Sequence, residues 1–167
     1  MVSTLVSSSL VGKMAAASGV AYAETFTGFK WIADAALKNF DKRLVFAYEQ
    51  ALGYLVTDRP LDKDGITAAV VMLEVASVAA RDGKTIDDLL DDIAARFGRH
   101  LTAETSVRLD PAAGIAAVEQ LRANPPKEIA GRRVVEVVDY PEATLLRLWL
   151  EGVGGERVRL QVRPSGT

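Results

Sequence analysis

Val2-Ser3-Thr4-Leu5-Val6-Ser7-Ser8-Ser9 leads into Leu10-Val11-Gly12-Lys13-Met14-Ala15-Ala16-Ala17-Ser18-Gly19, and then into Val20-Ala21-Tyr22-Ala23-Glu24-Thr25-Phe26. Val2 to Val6 is a short run rich in strand formers. Any of the three serines after it can cap a helix through its hydroxyl. Leu10 to Ala17 reads as a helix of small residues, stopped by Gly19 in a left-handed C′ position. Val20 to Phe26 is a second strand. Strand, helix, strand predicts a βαβ unit and a partly parallel sheet, which is the start of an α/β domain. The same stretch imitates a secretory leader, with Ala21-Tyr22-Ala23 resembling a cleavage site. No basic residue precedes its apolar part and Lys13 interrupts it, so it reads as folded structure.

The strands that follow end in polar groups. Thr27-Gly28 stands where a strand hands over to a helix expected from about Lys30 to Asn39. Free backbone N–H groups and a threonine hydroxyl at such a corner bind the oxygens of an anion or a sugar, and Lys30 adds positive charge. The alternative is a plain Thr-Gly turn. Phe29 and Trp31 read as core on either view. Leu44-Val45-Phe46-Ala47 looks like a buried strand, and Tyr48-Glu49-Gln50-Ala51-Leu52-Gly53 follows it. Ligands of open α/β sheets sit beyond the carboxyl ends of strands, so Glu49 is placed to accept hydrogen bonds from hydroxyl groups. By the residues alone, Glu49 reads first as a solvated strand end.

Asp58 to Gly65 is a charged loop, with Asp64 set to cap a helix over Gly65 to Ala80. That helix is apolar on almost every face and is expected to be buried. Lys63, beside the helix start, is a phosphate or hydroxyl contact or a solvated lysine. Thr85 caps a further helix whose Asp87, Asp88, Asp91 and Asp92 form a solvated face near its N-terminus rather than a metal site.

After Gly98 the texture changes. His100 to Leu109 reads as a strand, and Asp110-Pro111 opens a helix to about Ala123. Arg133 to Tyr140, Leu145 to Glu151 and Glu156 to Val162 are three antiparallel strands. Val158, Leu160 and Val162 alternate with Arg157, Arg159 and Gln161, the pattern of a half-exposed hairpin. The expected organisation is therefore a mixed-sheet α/β domain over residues 1–98. A small α+β domain with an antiparallel sheet follows over 99–167. The sequence ends Arg163-Pro164-Ser165-Gly166-Thr167. A guanidinium fork, two hydroxyls and a glycine amide suit a phosphate, although a surface turn has the same composition.

Composition narrows the function classes. Of 167 residues 49% are apolar and 25% charged, which is ordinary for a globular protein. A formal net charge of −2 gives no general attraction to nucleic acid or to an anionic membrane. The absence of cysteine removes disulfides and thiolate metal sites, and fits a cytoplasmic setting. The single His100 rules out a site that needs two imidazoles. The apolar run Ile66 to Ala80 contains Glu74 and is too short to span a bilayer.

Four pieces in this order resemble the α-D-phosphohexomutase superfamily, the phosphoglucomutases and phosphomannomutases. Thr4 to Ser9 resembles the start of that family's third domain. Thr25 to Trp31 resembles its Thr-Gly loop. Tyr48 to Tyr54, with Asp62-Lys63-Asp64-Gly65, resembles its sugar-specificity loop. Arg163 to Thr167 resembles the phosphate loop of its fourth domain.

The resemblance implies a four-domain mutase of which this chain supplies the third and fourth domains. A serine in the first domain would carry the phosphoryl group, and an Asp-rich loop in the second would hold Mg²⁺. Neither motif is found here, so the fragment alone is expected to be inactive and to hold no metal. The implied partners are a small sugar phosphate, its bisphosphate intermediate and the missing N-terminal domains. Thr27, Gly28, Lys30, Glu49, Gln50, Ala51 and Lys63 are the implied sugar contacts. Arg163, Ser165, Gly166 and Thr167 are the implied phosphate contacts. Glu49 matches the family glutamate. Ala51 stands where many relatives have serine, and Gln50 where the nearest branch has a second glutamate. The Glu-x-Ala-Leu-Gly form is most like the branch with phosphopentomutases and some bacterial phosphoglucomutases, so a pentose phosphate is the alternative substrate. The alternative function is a stand-alone sugar-phosphate-binding module.

Overall fold

The computed structural model describes residues 1–38 and 41–164. They fall into two compact units, Met1–Ala103 and Glu104–Thr167. In the first, β1 (Val2–Thr4), α1 (Leu10–Ala17) and β2 (Ala23–Thr25) form the expected βαβ unit. Gly19 ends α1 with φ +65°, a conformation a side chain would resist. α2 (Phe29–Lys38) follows, and its expected last residue, Asn39, lies outside the described residues. Then come β3 (Ala47–Glu49), β4 (Gly53–Leu55), α3 (Gly65–Arg81) and α4 (Ile86–Phe97). The sheet order is β2-β1-β3-β4. β1 runs parallel to β2 and β3, and β4 returns antiparallel to β3. The carboxyl ends of β1, β2 and β3 therefore share one edge of the sheet.

Ile32 and Phe29 of α2 pack on Val2, Ala47 and Leu55 of the sheet, with Leu44 beside them. β3 begins later than the apolar run suggests. Val45 is exposed, and the ladder starts only at Ala47 because Val2 and Ser3 are its partners there. β4 was not foreseen. It is too short to show an alternation, and Gly53 opens it because a Cβ there would run into the Phe29 ring.

Trp31 corrects the expectation of a core aromatic. It is 38% exposed, edge-on to Phe26 with ring centroids 5.3 Å apart, and the Lys30 ammonium lies 5.3 Å from its ring. α3 is the larger correction. Asp64 caps it as expected, accepting from the Ile66 and Thr67 N–H groups, and this holds its carboxyl below the usual range. Yet Ile66 is 79% exposed and Leu73 is 68% exposed, and only Ala79 is fully buried. The helix meets β4 and α4 along one side, and these cannot cover an all-round apolar cylinder. The acid cluster of α4 is solvated as expected. Asp88 completes a capping box with Thr85, whose N–H holds the Asp88 carboxyl low, and Asp92 pairs with Lys84.

In the second unit, α5 (Pro111–Ala123) begins at the Asp110 cap as expected. The strand expected over His100 to Leu109 is absent. Residues 98–110 form no strand or helix, and Leu101, Val107 and Leu109 are exposed. An alternating run becomes a strand only where a neighbour supplies the ladder and the burial. The fourth strand is instead β5 (Glu128–Ile129), paired with β6 (Arg132–Tyr140). Ala130 and Gly131 turn between them with φ +49° and +73°, the two left-handed residues of a tight hairpin. β7 (Leu145–Glu151) and β8 (Arg157–Val162) complete an antiparallel sheet in the order β5-β6-β7-β8. Leu146, Leu148 and Leu150 form its core against Leu121 of α5. Among the described residues no helix is long and apolar enough to cross a membrane.

Candidate functional site

Three loops leave the shared edge of the first sheet: residues 5–9 after β1, residues 26–28 after β2, and residues 50–52 after β3. Glu49 is the last residue of β3, directly across from Gly53. The loop Gln50-Ala51-Leu52 between them is exposed, with Leu52 at φ +60°. A three-residue hairpin loop closes in this way, with its last residue left-handed. Because Glu49 is held in the ladder, its backbone is fixed and only 8% of it remains exposed.

Its carboxylate reaches across the sheet edge. Glu49 Oε1 accepts a hydrogen bond from the Gly28 N–H. Gly28 has φ +119°, which frees that amide to point at the carboxylate and is closed to other residues without strain. The expectation of a free amide at this corner is thus corrected: Gly28 already serves Glu49. The structure brings together two sequence motifs 21 residues apart. A carboxylate has about four acceptor positions on its two oxygens, so capacity for a ligand hydroxyl remains.

The other expected contacts stand in different settings. Lys63 Nζ lies 5.5 Å from the centroid of the Phe29 ring, next in sequence to Gly28, and 3.7 Å from Asp62 Oδ1. Lys30 is exposed and turned over Trp31. Gln50 and Ala51 are exposed in the hairpin loop, and Thr27 is half-buried beside Gly28. Arg163 belongs to the second unit, where it is exposed one residue past β8. Ser165, Gly166 and Thr167 lie outside the described residues. Among the described residues no three His, Cys, Asp or Glu side chains gather as metal ligands would.

Sequence reading missed a row of hydroxyls under the edge. Ser3, Thr4 and Ser7 are fully buried. Ser7 Oγ lies 2.8 Å from Thr4 Oγ1 and accepts from the Gln50 N–H at 3.0 Å. The Tyr48 hydroxyl donates to the Ser8 carbonyl at 3.2 Å. Their one signal in the sequence was a serine run directly after a strand, which reads first as helix capping. Ser9 in fact makes no side-chain cap, and Ser8 Oγ accepts from the Leu10 N–H instead.

Residues 1–97 match the family described as phosphoglucomutase/phosphomannomutase, alpha/beta/alpha domain III. A probable phosphomannomutase of Haemophilus influenzae is 37% identical over 98% of this chain and 33% of its own length. A phosphoglucomutase of Staphylococcus aureus is 34% identical over 84% of this chain and 26% of its own. The crystal structure of pp63/parafusin, a phosphoglucomutase from Paramecium in its open form, superposes with a TM-score of 0.67. It is 20% identical and matches 99% of this chain and 30% of its own, a likeness of fold. The chain spans about a third of the length of the H. influenzae relative. Mixed sheet, antiparallel sheet and sequence agree, and the chain belongs to the phosphoglucomutase/phosphomannomutase family.

Proposed function

We propose that this chain is the substrate-binding part of a phosphohexomutase. The whole enzyme would move a phosphoryl group between the 1- and 6-positions of a hexose phosphate through a bisphosphate intermediate. The observation that carries this reading is the Glu49 carboxylate, anchored by Gly28 at the carboxyl edge of a sheet. A buried, fixed acceptor suits a sugar hydroxyl, because its orientation is settled before the ligand arrives.

The residues of this chain bind and orient. Glu49 accepts hydrogen bonds from adjacent hydroxyls, and Gly28 keeps its first oxygen still. Lys30 and Lys63 supply positive charge near the same edge. Arg163, with Ser165, Gly166 and Thr167, grips the phosphate that is not reacting. Phosphoryl transfer depends on such positioning and on charge. Mg²⁺ would supply charge neutralisation at the transferred group. By the family resemblance it is assigned to an Asp-rich loop in the remainder of the enzyme, and no step here runs through it. The setting proposed for the enzyme is the cytoplasm.

Two measurements test the reading. The purified 167-residue chain is expected to convert no glucose 1-phosphate to glucose 6-phosphate above a matched blank, since it holds no phosphoryl carrier. Turnover by the chain would sink the assignment. In the full-length mutase, Arg163→Lys is expected to raise KM for the sugar phosphate with little effect on stability. Lysine cannot make the two parallel N–H···O bonds of a guanidinium, and an exposed charge contributes little to folding. A mutant with unchanged KM, or one that unfolds, would return Arg163 to a structural role. Running the assay with glucose, mannose and pentose phosphates ranks the sugars.

A further inference from the structure

Ser7 belongs to no sugar contact, yet it is fully buried at the sheet edge where the hairpin of Glu49 turns. Its hydroxyl accepts from the Gln50 N–H at 3.0 Å and lies 2.8 Å from Thr4 Oγ1. Its own N–H donates to the Thr4 carbonyl at 2.9 Å. The first bond ties the loop after β1 to the first residue after Glu49. The Tyr48 hydroxyl adds a second tie from the residue before Glu49, to the Ser8 carbonyl.

Glu49 is thus flanked on both sides by bonds to one short segment, residues 7–8. The loop itself gives little support, since Gln50, Ala51 and Leu52 are all exposed. Beyond the ladder and the Gly28 N–H, support for the hairpin comes from the segment after β1. A hydroxyl that water cannot reach is well suited to this. The Gln50 N–H bonds to it in a part-buried contact, and a donor that loses such a partner is costly to leave unmet.

We propose that Ser7 is a positioning residue of the sugar site: its buried hydroxyl fixes the Gln50 amide and thereby aims the Glu49 carboxylate. This rests on the reading of Glu49 as a sugar contact. Ser7 touches no substrate. It acts through the direction of the hairpin.

The test uses the chain itself, with amide exchange at Gln50 and titration with glucose 1-phosphate and with inorganic phosphate. Ser7→Ala is expected to speed Gln50 exchange about tenfold and to weaken glucose 1-phosphate about fivefold, the scale of one lost buried hydrogen bond. Inorganic phosphate, which has no sugar edge, is expected to bind Ser7→Ala as it binds the unaltered chain. Should Ser7→Ala fail to fold, Ser7→Cys keeps the shape with a weak acceptor and gives the same readout. Unchanged Gln50 exchange overturns the proposal, and so does faster exchange with unchanged sugar affinity. Equal weakening of both ligands also overturns it, as a general structural effect. Glu49→Ala in parallel separates this from the underlying reading. If Glu49→Ala keeps full affinity, the sugar site itself is wrong. If Glu49→Ala weakens binding and Ser7→Ala does not, only the role of Ser7 fails.

Discussion

Replacing Glu49 by alanine in the proposed full-length mutase is expected to lower kcat/KM by the equivalent of roughly 2–4 kcal/mol, the sum of a lost charged hydrogen bond and a misplaced substrate. The size follows from the setting. Glu49 is 8% exposed, so its carboxylate interacts in a drier medium than a surface glutamate would. It is also held at both ends, by the β3–β4 ladder and by the Gly28 N–H. On the proposed reading, removing it withdraws an acceptor from the sugar; it also frees the Gly28 amide. The fold survives, because β3 keeps its partners and the hydrophobic cluster does not include Glu49. Steady-state kinetics with a circular-dichroism melt reads both parts. A kcat/KM equal to that of the unaltered enzyme removes Glu49 from the site.

Ile32→Ala is expected to destabilise the first unit by about 2–5 kcal/mol, the range for truncating a buried isoleucine. Ile32 is fully buried between Val2, Phe29, Ala47 and Leu55. The strands it covers are only three residues long, so few other contacts can close the space left behind. α2 also begins directly after Gly28, so loosening it disturbs the anchor of Glu49. Urea unfolding of the chain, followed at the first unit, should show a lower midpoint with an unchanged slope. A loss under about 1 kcal/mol would mean that Ile32 is not a core residue, since large-to-small changes in packed interiors cost more than that.

The elements marked by local chemistry were legible in advance. α1 ends at Gly19, α3 begins at Asp64, α4 at Thr85 and α5 at Asp110 because a cap satisfies groups within a few residues of itself. β7 and β8 were legible as strand-forming runs, but their faces were not: Arg147 is buried in β7, and Val158 and Leu160, expected on the covered face of β8, are 42% and 36% exposed. Elements without such marks were misread. β4 and β5 are three and two residues long, below the length at which a period shows. Residues 100–109 alternate but find no neighbour to pair with.

The site divides in the same way. The sequence by itself determined the groups available: a glutamate after an apolar run, a Thr-Gly corner, and an Arg-Pro-Ser-Gly-Thr end. Residue type and short spacing carry that information. Only the tertiary structure decided that Glu49 Oε1 meets the Gly28 N–H, and that Ser7 lies under Gln50 at a separation of 43 residues. Only it decided that α3 is not covered in this chain, although its sequence is that of a buried helix. Apolar periodicity states that a face is to be kept from water. It does not state which partner does so, because burial is a property of the packed neighbours and not of the segment.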